Sequence, residues 1–565
     1  MPAFAAMSVE ELLAWNDRQR ALVGGWREWR EEHDLLAEGL ASSLLAELPR
    51  YWAEAAAEHV PAEKVPFKER EAPVEEREVL VEAPLEREEL TDEDSLLLHA
   101  MVTRACEAAA EAQEAVEARA AAEAEARARA VVAPTSAPVA KAPKEEEEEE
   151  TARWLDQLDR PHPPLEVGEQ GEFACSGSEG SVCCRFASAS HIGGSGKNRQ
   201  KENQDACFVV RGERTIVWGV LDGHGPDNGR LAAHAGARAF KAWFAEHDAE
   251  LDSLPEETML KAFRAAHDAI HRQIVRRYER QGEPLKPGSG GFLVADDGQP
   301  VDGGATATVV GLVQGHVLVV ANVGDSDAVL GGKLPDGQVG FQQLAADHSP
   351  TSADEFVRVA KLVAERGEGW NPPVFAYTAG DDDEPLEIFA MRDDGTVELD
   401  AESLQQLEAC DAGFKTARGD RPTSIIAPET VDYEPCQLGV TRSLGDFYMQ
   451  HYGITWEPAV SCIDLNEVAS QLEHVTLVIA SDGLWDLWEY KDVLQYHLSR
   501  PPPADSGAVL SPLLELVEST RRQSEEFFGE SADNITAVAV TVTFGESSAS
   551  ASSQPAEPLE EVLDA

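Results

Sequence analysis

Basic residues are scarce. The chain has 47 lysines and arginines against 104 aspartates and glutamates, a formal charge of −57 over 565 residues. A phosphate backbone requires a Lys/Arg surface, so this imbalance argues against a nucleic-acid partner. Long apolar runs are missing too. No stretch approaches the ~18 residues of a membrane span, so no membrane partner is expected. The start, MPAFAAMSVEELLAWNDRQR, lacks the basic residues and apolar run of a secretory signal and is too acidic for a typical transit peptide. Cysteines number only eight. No CxxC pairs with a second CxxC or with spaced histidines, which argues against a zinc module. Reduced thiols in a cytoplasmic or nuclear protein are the expectation. The acidity points instead to cations and basic partners.

The chain divides by composition. Residues 1–60 read as a helical amphipathic segment. Ser8-Val9-Glu10-Glu11 forms a capping box, and Leu12, Trp15, Gln19, Leu22, Trp26 and Trp29 follow as one helical stripe. That stripe suits either a helical protein partner for residues 8–50 or the chain's own folded domain. Residues 61–165 are acidic and Ala/Glu-rich, and end in a Pro-rich linker and the block EEEEEE; a solvated helix and disorder are expected. Residues 546–565 read as a disordered tail.

Residues 188–545 differ. Strands are predicted at 207–210, 215–221, 306–313, 316–324, 327–332, 475–483 and 534–542, and helices at 227–247 and 256–280. Gln314-Gly315 reads as a tight turn. Near-continuous apolar strands mean that both sheet faces are covered. Short β connections mean antiparallel pairing. The expected fold class is α+β: two packed antiparallel sheets with helices on both outer faces, preceded by a helical and disordered N-terminal extension.

Four aspartates share one placement, each at the edge of an apolar run. Asp205 opens CFVV, Asp222 closes IVWGVL, Asp482 follows TLVIAS, and Asp533 opens NITAVAVTV. A carboxylate at such a point costs stability unless it is paired or bound to metal. Converging carboxylates repel, and divalent cations relieve that repulsion. Oxygen-only ligation selects hard cations, Mg²⁺ or Mn²⁺. Two such ions about 3.5–4 Å apart can activate a bridging hydroxide for attack at phosphorus. Asp222 would bridge them, the Gly223 carbonyl would face one, and His224 would donate a proton to the leaving oxygen.

The ordered segments ENQDACF (202–208), VLDGHG (220–225), GGATATVV (303–310), ANVGDSDAVL (321–330), LAADHSP (344–350), LGVTRSLGDF (438–447), IASDGLWD (479–486) and SADNITAVAV (531–540) resemble those of the type 2C metal-dependent Ser/Thr protein phosphatases, the PPM type. They cover about 350 residues in the family's order. The resemblance implies an α-β-β-α sandwich. It also implies hydrolysis of phosphoserine and phosphothreonine in phosphoprotein substrates by a metal-bound hydroxide at a two-metal site. It makes Asp222 the bridging ligand, Gly223 a carbonyl ligand, and Asp482 and Asp533 further ligands of the first metal. Asp205 orients metal-bound water, and His224 is the general acid. Asp325, with Asp482 shared, corresponds to the site of a third, weaker ion.

Three positions depart from the pattern. Gln204 stands where the animal-type motif has a glutamate ligand; its amide oxygen can ligate but brings no charge. Gln200 stands where many members have a phosphate-gripping arginine, which leaves the neighbours Arg199 and Lys201 as the candidates for phosphate binding. Asp327 in GDSD replaces the usual arginine, a structural or surface change. Residues 365–436 form an extended insertion in the flap region, either an acidic flap favouring basic phosphosites or a solvated loop. A pseudophosphatase, a scaffold with a weak or dead pocket, is the alternative function.

HIGGSGKN (191–198) lacks the opening glycine of a phosphate-binding loop and is rejected as one. Asn534-Ile535-Thr536 is a glycosylation sequon, but Asn534 is expected to follow Asp533 into the active-site loop.

Overall fold

The computed structural model describes residues 144–545, apart from short stretches within that range that include 194–201, 367–370 and 379–384. The expected amphipathic segment at 1–60, most of the acidic stretch at 61–165 and the tail at 546–565 lie outside the described residues. No described helix is long and apolar enough to cross a membrane.

Helix α1 is Lys144–Leu158. Strands β1 (Leu165–Gly177) and β2 (Gly180–His191) follow, then β3 (Ala206–Arg211) and β4 (Ile216–Leu221). Helices α2 (Gly229–Glu246) and α3 (Pro255–Gln281) precede β5 (Ala307–Val313), β6 (Val317–Val323), β7 (Asp327–Lys333) and β8 (Val339–Gln343). Helix α4 is Ala353–Arg366. Strands β9 (Ala459–Asp464) and β10 (Glu473–Ala480), helices α5 (Tyr490–Leu498) and α6 (Gly507–Phe528), and strand β11 (Ile535–Gly545) complete the main framework.

Two antiparallel sheets result. One runs β1-β2-β11-β10-β7-β8 and the other β9-β6-β5-β4-β3. The run IVWGVL explains the layering. In β4, Ile216, Trp218 and Val220 enter a core that also holds Phe186, Leu477 and Val540 from the other sheet. Alternate residues Val217 and Leu221 pack with Phe240 and Phe263 of α2 and α3. On the far side, Val478, Ala480 and Ala537 pack with Leu494, Leu513 and Val517 of α5 and α6. The period of two along each strand therefore feeds two cores at once. This is the expected α-β-β-α sandwich. Gln314 and Gly315 both take positive φ (53° and 78°) in the three-residue β5–β6 turn, where the His316 N–H donates to the Val313 carbonyl (3.2 Å).

Two boundaries need correction. The compact unit begins at Glu149 rather than 188, and β1 and β2 extend the first sheet upstream of that residue. The block EEEEEE, read as disordered, opens α1. Acidic side chains suit a helix N-terminus, and the helix is anchored later, where Leu155 and Leu158 are buried with α2 and α3. The insertion is also folded. Strands Val374–Tyr377, Leu386–Glu387, Thr423–Ile426 and Gln437–Leu438 form a four-stranded sheet. Phe375, Phe389, Leu407 and Ile425 build its own core with Val359 of α4. Among the described residues six cysteines carry free thiols.

Candidate active site

Asp222 follows the last residue of β4. Its amide accepts no freedom: the N–H donates to Thr306 Oγ1 (3.2 Å), and its carbonyl accepts from the Thr306 N–H (2.8 Å). Gly223 then pairs with Ala305. A Cβ at Gly223 would lie 2.4 Å from the Gly229 carbonyl and 2.5 Å from that of Gln204, so only glycine fits between these backbones. Asp482 starts a short helix, Asp482–Trp485, at the end of β10. Asp533 immediately precedes Asn534, whose N–H donates to Asp533 Oδ1 (2.6 Å).

Because adjacent strands are antiparallel, the ends of β4 and β10 and the starts of β3 and β11 lie at one end of the sandwich. Buried polar bonds lock them together. Ser481 Oγ donates to Asp205 Oδ2 (2.8 Å) and accepts from the Thr536 N–H (3.0 Å). Asn534 Oδ1 accepts from the Gln204 N–H (2.8 Å), and its amide donates to the Ile192 carbonyl (2.7 Å). Asn534 is 4% exposed, which agrees with a place in the site loop.

The electrostatics follow from this convergence. Burial, and then the charges of Asp205, Asp482, Asp533 and Asp325, push the Asp222 carboxyl well above its usual range. Burial and Asp533 raise Asp205 to about 7. Asp486, one helical turn after Asp482, rises to about 9 through burial and the Asp482 charge. Asp205 Oδ1 and Asp482 Oδ1 are buried without a hydrogen-bond partner. Unpartnered carboxylate oxygens in a repelling ring are the donor set that a hard divalent cation satisfies. Among the described residues no three such side chains close into a complete metal cage.

Gln204 lies beside this ring. Its side-chain amide donates to the Gly225 carbonyl (2.8 Å), so Oε1 is the atom it can offer to a cation. Arg199, Gln200 and Lys201 lie outside the described residues. Asp327 points away from the cluster's chemistry. It is 5% exposed, bonded to Gln343 (2.6 Å) and Tyr490, and burial raises it to about 7.

Three participants were not singled out from the sequence. Asp486 carries an i,i+4 signal within SDGLWD. Lys415, from the insertion, donates to Asp325 Oδ2 (2.7 Å) and lies 3.3 Å from Asp482 Oδ2. Burial pulls its ammonium down, but Asp325, Asp482 and Asp486 outweigh this and hold it well above the usual lysine range. Asp446 is the third: its Oδ2 lies 2.7 Å from His224 Nε2 and also accepts from Ser443 Oγ. A Cβ at Gly304 would stand 2.1 Å from that oxygen, so Gly304 makes room for the pair.

Asp446 has φ 46°, a left-handed conformation that asparagine tolerates. Asp446→Asn is therefore expected to keep the backbone while removing the charge that orients His224. If His224 is the proton donor, the variant loses roughly 10-fold or more in kcat with KM little changed, and His224→Ala loses about 10²-fold or more. Steady-state kinetics on both variants checks this; a changed KM with kcat intact would contradict it.

Residues 213–365 and 431–498 match the family model "Protein phosphatase 2C". It is 26% identical over 205 residues to "Probable protein phosphatase 2C 33" of Arabidopsis thaliana, covering 36% of this chain and 30% of the relative. It is 26% identical over 363 residues to "Probable protein phosphatase 2C 14" of Oryza sativa subsp. japonica, covering 61% and 57%. The chain thus spans less than two thirds of either relative. Among solved structures, a serine-threonine phosphatase 2C from Toxoplasma gondii is 18% identical with a TM-score of 0.39, covering 68% of this chain and 100% of that one. The catalytic domain of PstP, solved with two manganese ions, is 17% identical with a TM-score of 0.32, covering 64% and 99%. The fold stands on the strand order above rather than on these likenesses.

Proposed function

We propose that the chain hydrolyses phosphoserine and phosphothreonine monoesters of protein substrates at a site for two divalent cations, Mg²⁺ or Mn²⁺. The observation that carries this reading is the ring of Asp205, Asp325, Asp482 and Asp533 around Asp222, with buried carboxylate oxygens left unpartnered. Asp222, the Gly223 carbonyl, Asp482 and Asp533 would hold the cations, with Gln204 Oε1 offering a neutral ligand. When bound, the two ions neutralise phosphoryl charge and acidify water.

The protein's own groups do the rest. Asp205, fixed by Ser481, offers its unpartnered Oδ1 to orient the attacking water and to accept its proton. His224, paired through Nε2 with Asp446, delivers a proton to the leaving serine or threonine oxygen through Nδ1. The charge of −57 supports a preference for phosphosites flanked by basic residues, by complementarity and steering.

The test is phosphate release by the full chain from matched phosphothreonine peptides with basic or acidic flanks, with chelator and with single-stranded DNA as controls. Chelator-sensitive release from the peptides, faster with basic flanks, supports the proposal. Cleavage of DNA would indicate a two-metal nuclease. Peptide binding without turnover would indicate a pseudophosphatase.

A further inference from the structure

Lys415 lies in the stretch between the two segments that match the family model, residues 366–430. Its contacts are nevertheless with the acidic centre: Asp325 Oδ2 at 2.7 Å and Asp482 Oδ2 at 3.3 Å. The loop that carries it is built rather than slack. The Lys415 N–H donates to the Asp420 carbonyl (2.8 Å), and Thr416 Oγ1 donates to Asp420 Oδ2 (2.7 Å). The Arg421 guanidinium covers the Phe414 ring at 4.3 Å. The Ala417 N–H donates to the Asp486 carbonyl (2.7 Å), which ties the loop to the short helix that begins with Asp482.

We propose that Lys415 supplies, from within the chain, the positive charge between Asp325 and Asp482, and so replaces a third divalent ion there. This rests on the reading of the acidic ring as a cation centre. An ammonium offers three donors and one compact charge. Held by a fixed loop, it acts at high effective concentration against any weakly bound ion, because its binding is intramolecular. The centre of this chain therefore takes two divalent ions, with the lysine as its third cation. Asp325 is a lysine partner in this chain, not an ion ligand.

The test counts ions rather than turnover. Full-length wild type, Lys415→Gln and Lys415→Arg are equilibrated with millimolar Mn²⁺, and bound metal is counted by equilibrium dialysis with elemental analysis. Melting curves confirm that each is folded. The expected result is two ions per chain in wild type and Lys415→Arg, and three in Lys415→Gln. Adding Asp325→Asn to Lys415→Gln returns the count to two. Three ions in wild type, or two in Lys415→Gln, would overturn the role of Lys415 while leaving the two-cation reading intact. No bound metal in any folded variant would overturn both.

Discussion

Asp222→Asn is expected to make the metal-free protein more stable while removing at least about 10³-fold of the proposed phosphatase activity. Both effects come from one side chain. Burial and the surrounding carboxylates raise the folded-state pKa of Asp222 far above its value of 3.8 in an unfolded chain. A raised pKa means that the protonated form favours the fold. That contribution is whole below the unfolded pKa and is lost as pH rises through the folded one. At neutral pH and above, wild type therefore bears the repulsion, and the neutral asparagine does not. In chelator, the variant's melting temperature should exceed that of wild type at pH 8, and the difference should shrink toward pH 4. Activity moves the other way. A fall of 10³-fold corresponds to about 4 kcal/mol of transition-state stabilisation, a reasonable demand on a carboxylate that would help hold the proposed cations. Function stored as local instability is common at such sites. A lower melting temperature for metal-free Asp222→Asn at pH 8 would contradict the electrostatic account.

Glu355→Ala should act almost wholly on stability. Glu355, near the start of α4, is 3% exposed. It accepts from Arg442 Nη2 (2.6 Å), Arg358 Nη2 (2.8 Å) and Thr441 Oγ1 (2.9 Å). Those donors belong partly to the segment VTRSLGD, which continues to Asp446 and so to His224. Truncation takes the shared carboxylate from two half-buried guanidinium groups, which keep only the Gly453, Thr441 and Glu457 carbonyls, at a cost of roughly 3 kcal/mol. A fall in melting temperature of about 3–4 °C follows for a domain of this size. Burial alone would raise the Glu355 pKa, but bonds and charges from Arg442 and Arg358 override it and lower it from 4.5 to about 2. The sign is opposite to that of Asp222. Its stabilisation is present above pH 4.5 and lost as pH falls through about 2, a contribution of about 3 kcal/mol. Acid unfolding of Glu355→Gln, followed by circular dichroism, should be correspondingly shallower between those values; an unchanged acid limb would sink this assignment.

The central strands were legible because each carries a near-continuous apolar run, which covered sheets require. β4 was expected at 215–221 and spans Ile216–Leu221. β1 and β2 were not: β1 is an edge strand, and β2, though paired on both sides, lacks a run of large apolar residues. LEVGEQGEFACSG is polar, and GSVCCRFASASH relies on small residues, with Cys184 and Phe186 in the core between the sheets and Ala187 in the core beneath α5 and α6. The acidic run before α1 resembles a disordered tract until Leu155 and Leu158 are seen buried.

The site divides the same way. Asp205, Asp222, Asp482 and Asp533 announce themselves by ending or opening apolar strands, and the structure draws them together. Asp446 was visible only as part of a motif, since its role depends on His224, 222 residues away. Lys415 had no local signal at all. Nothing in GFKTARGD indicates a partner, and only the folded insertion delivers it to Asp325 and Asp482.

The most direct test is phosphate release from a phosphothreonine peptide by the full chain as Mn²⁺ is titrated, with Asp222→Asn measured in parallel. The account predicts turnover that requires metal, saturates with it, and disappears in the variant although the variant is folded. Metal-saturated, folded wild type without turnover, or a variant as active as wild type, would contradict it.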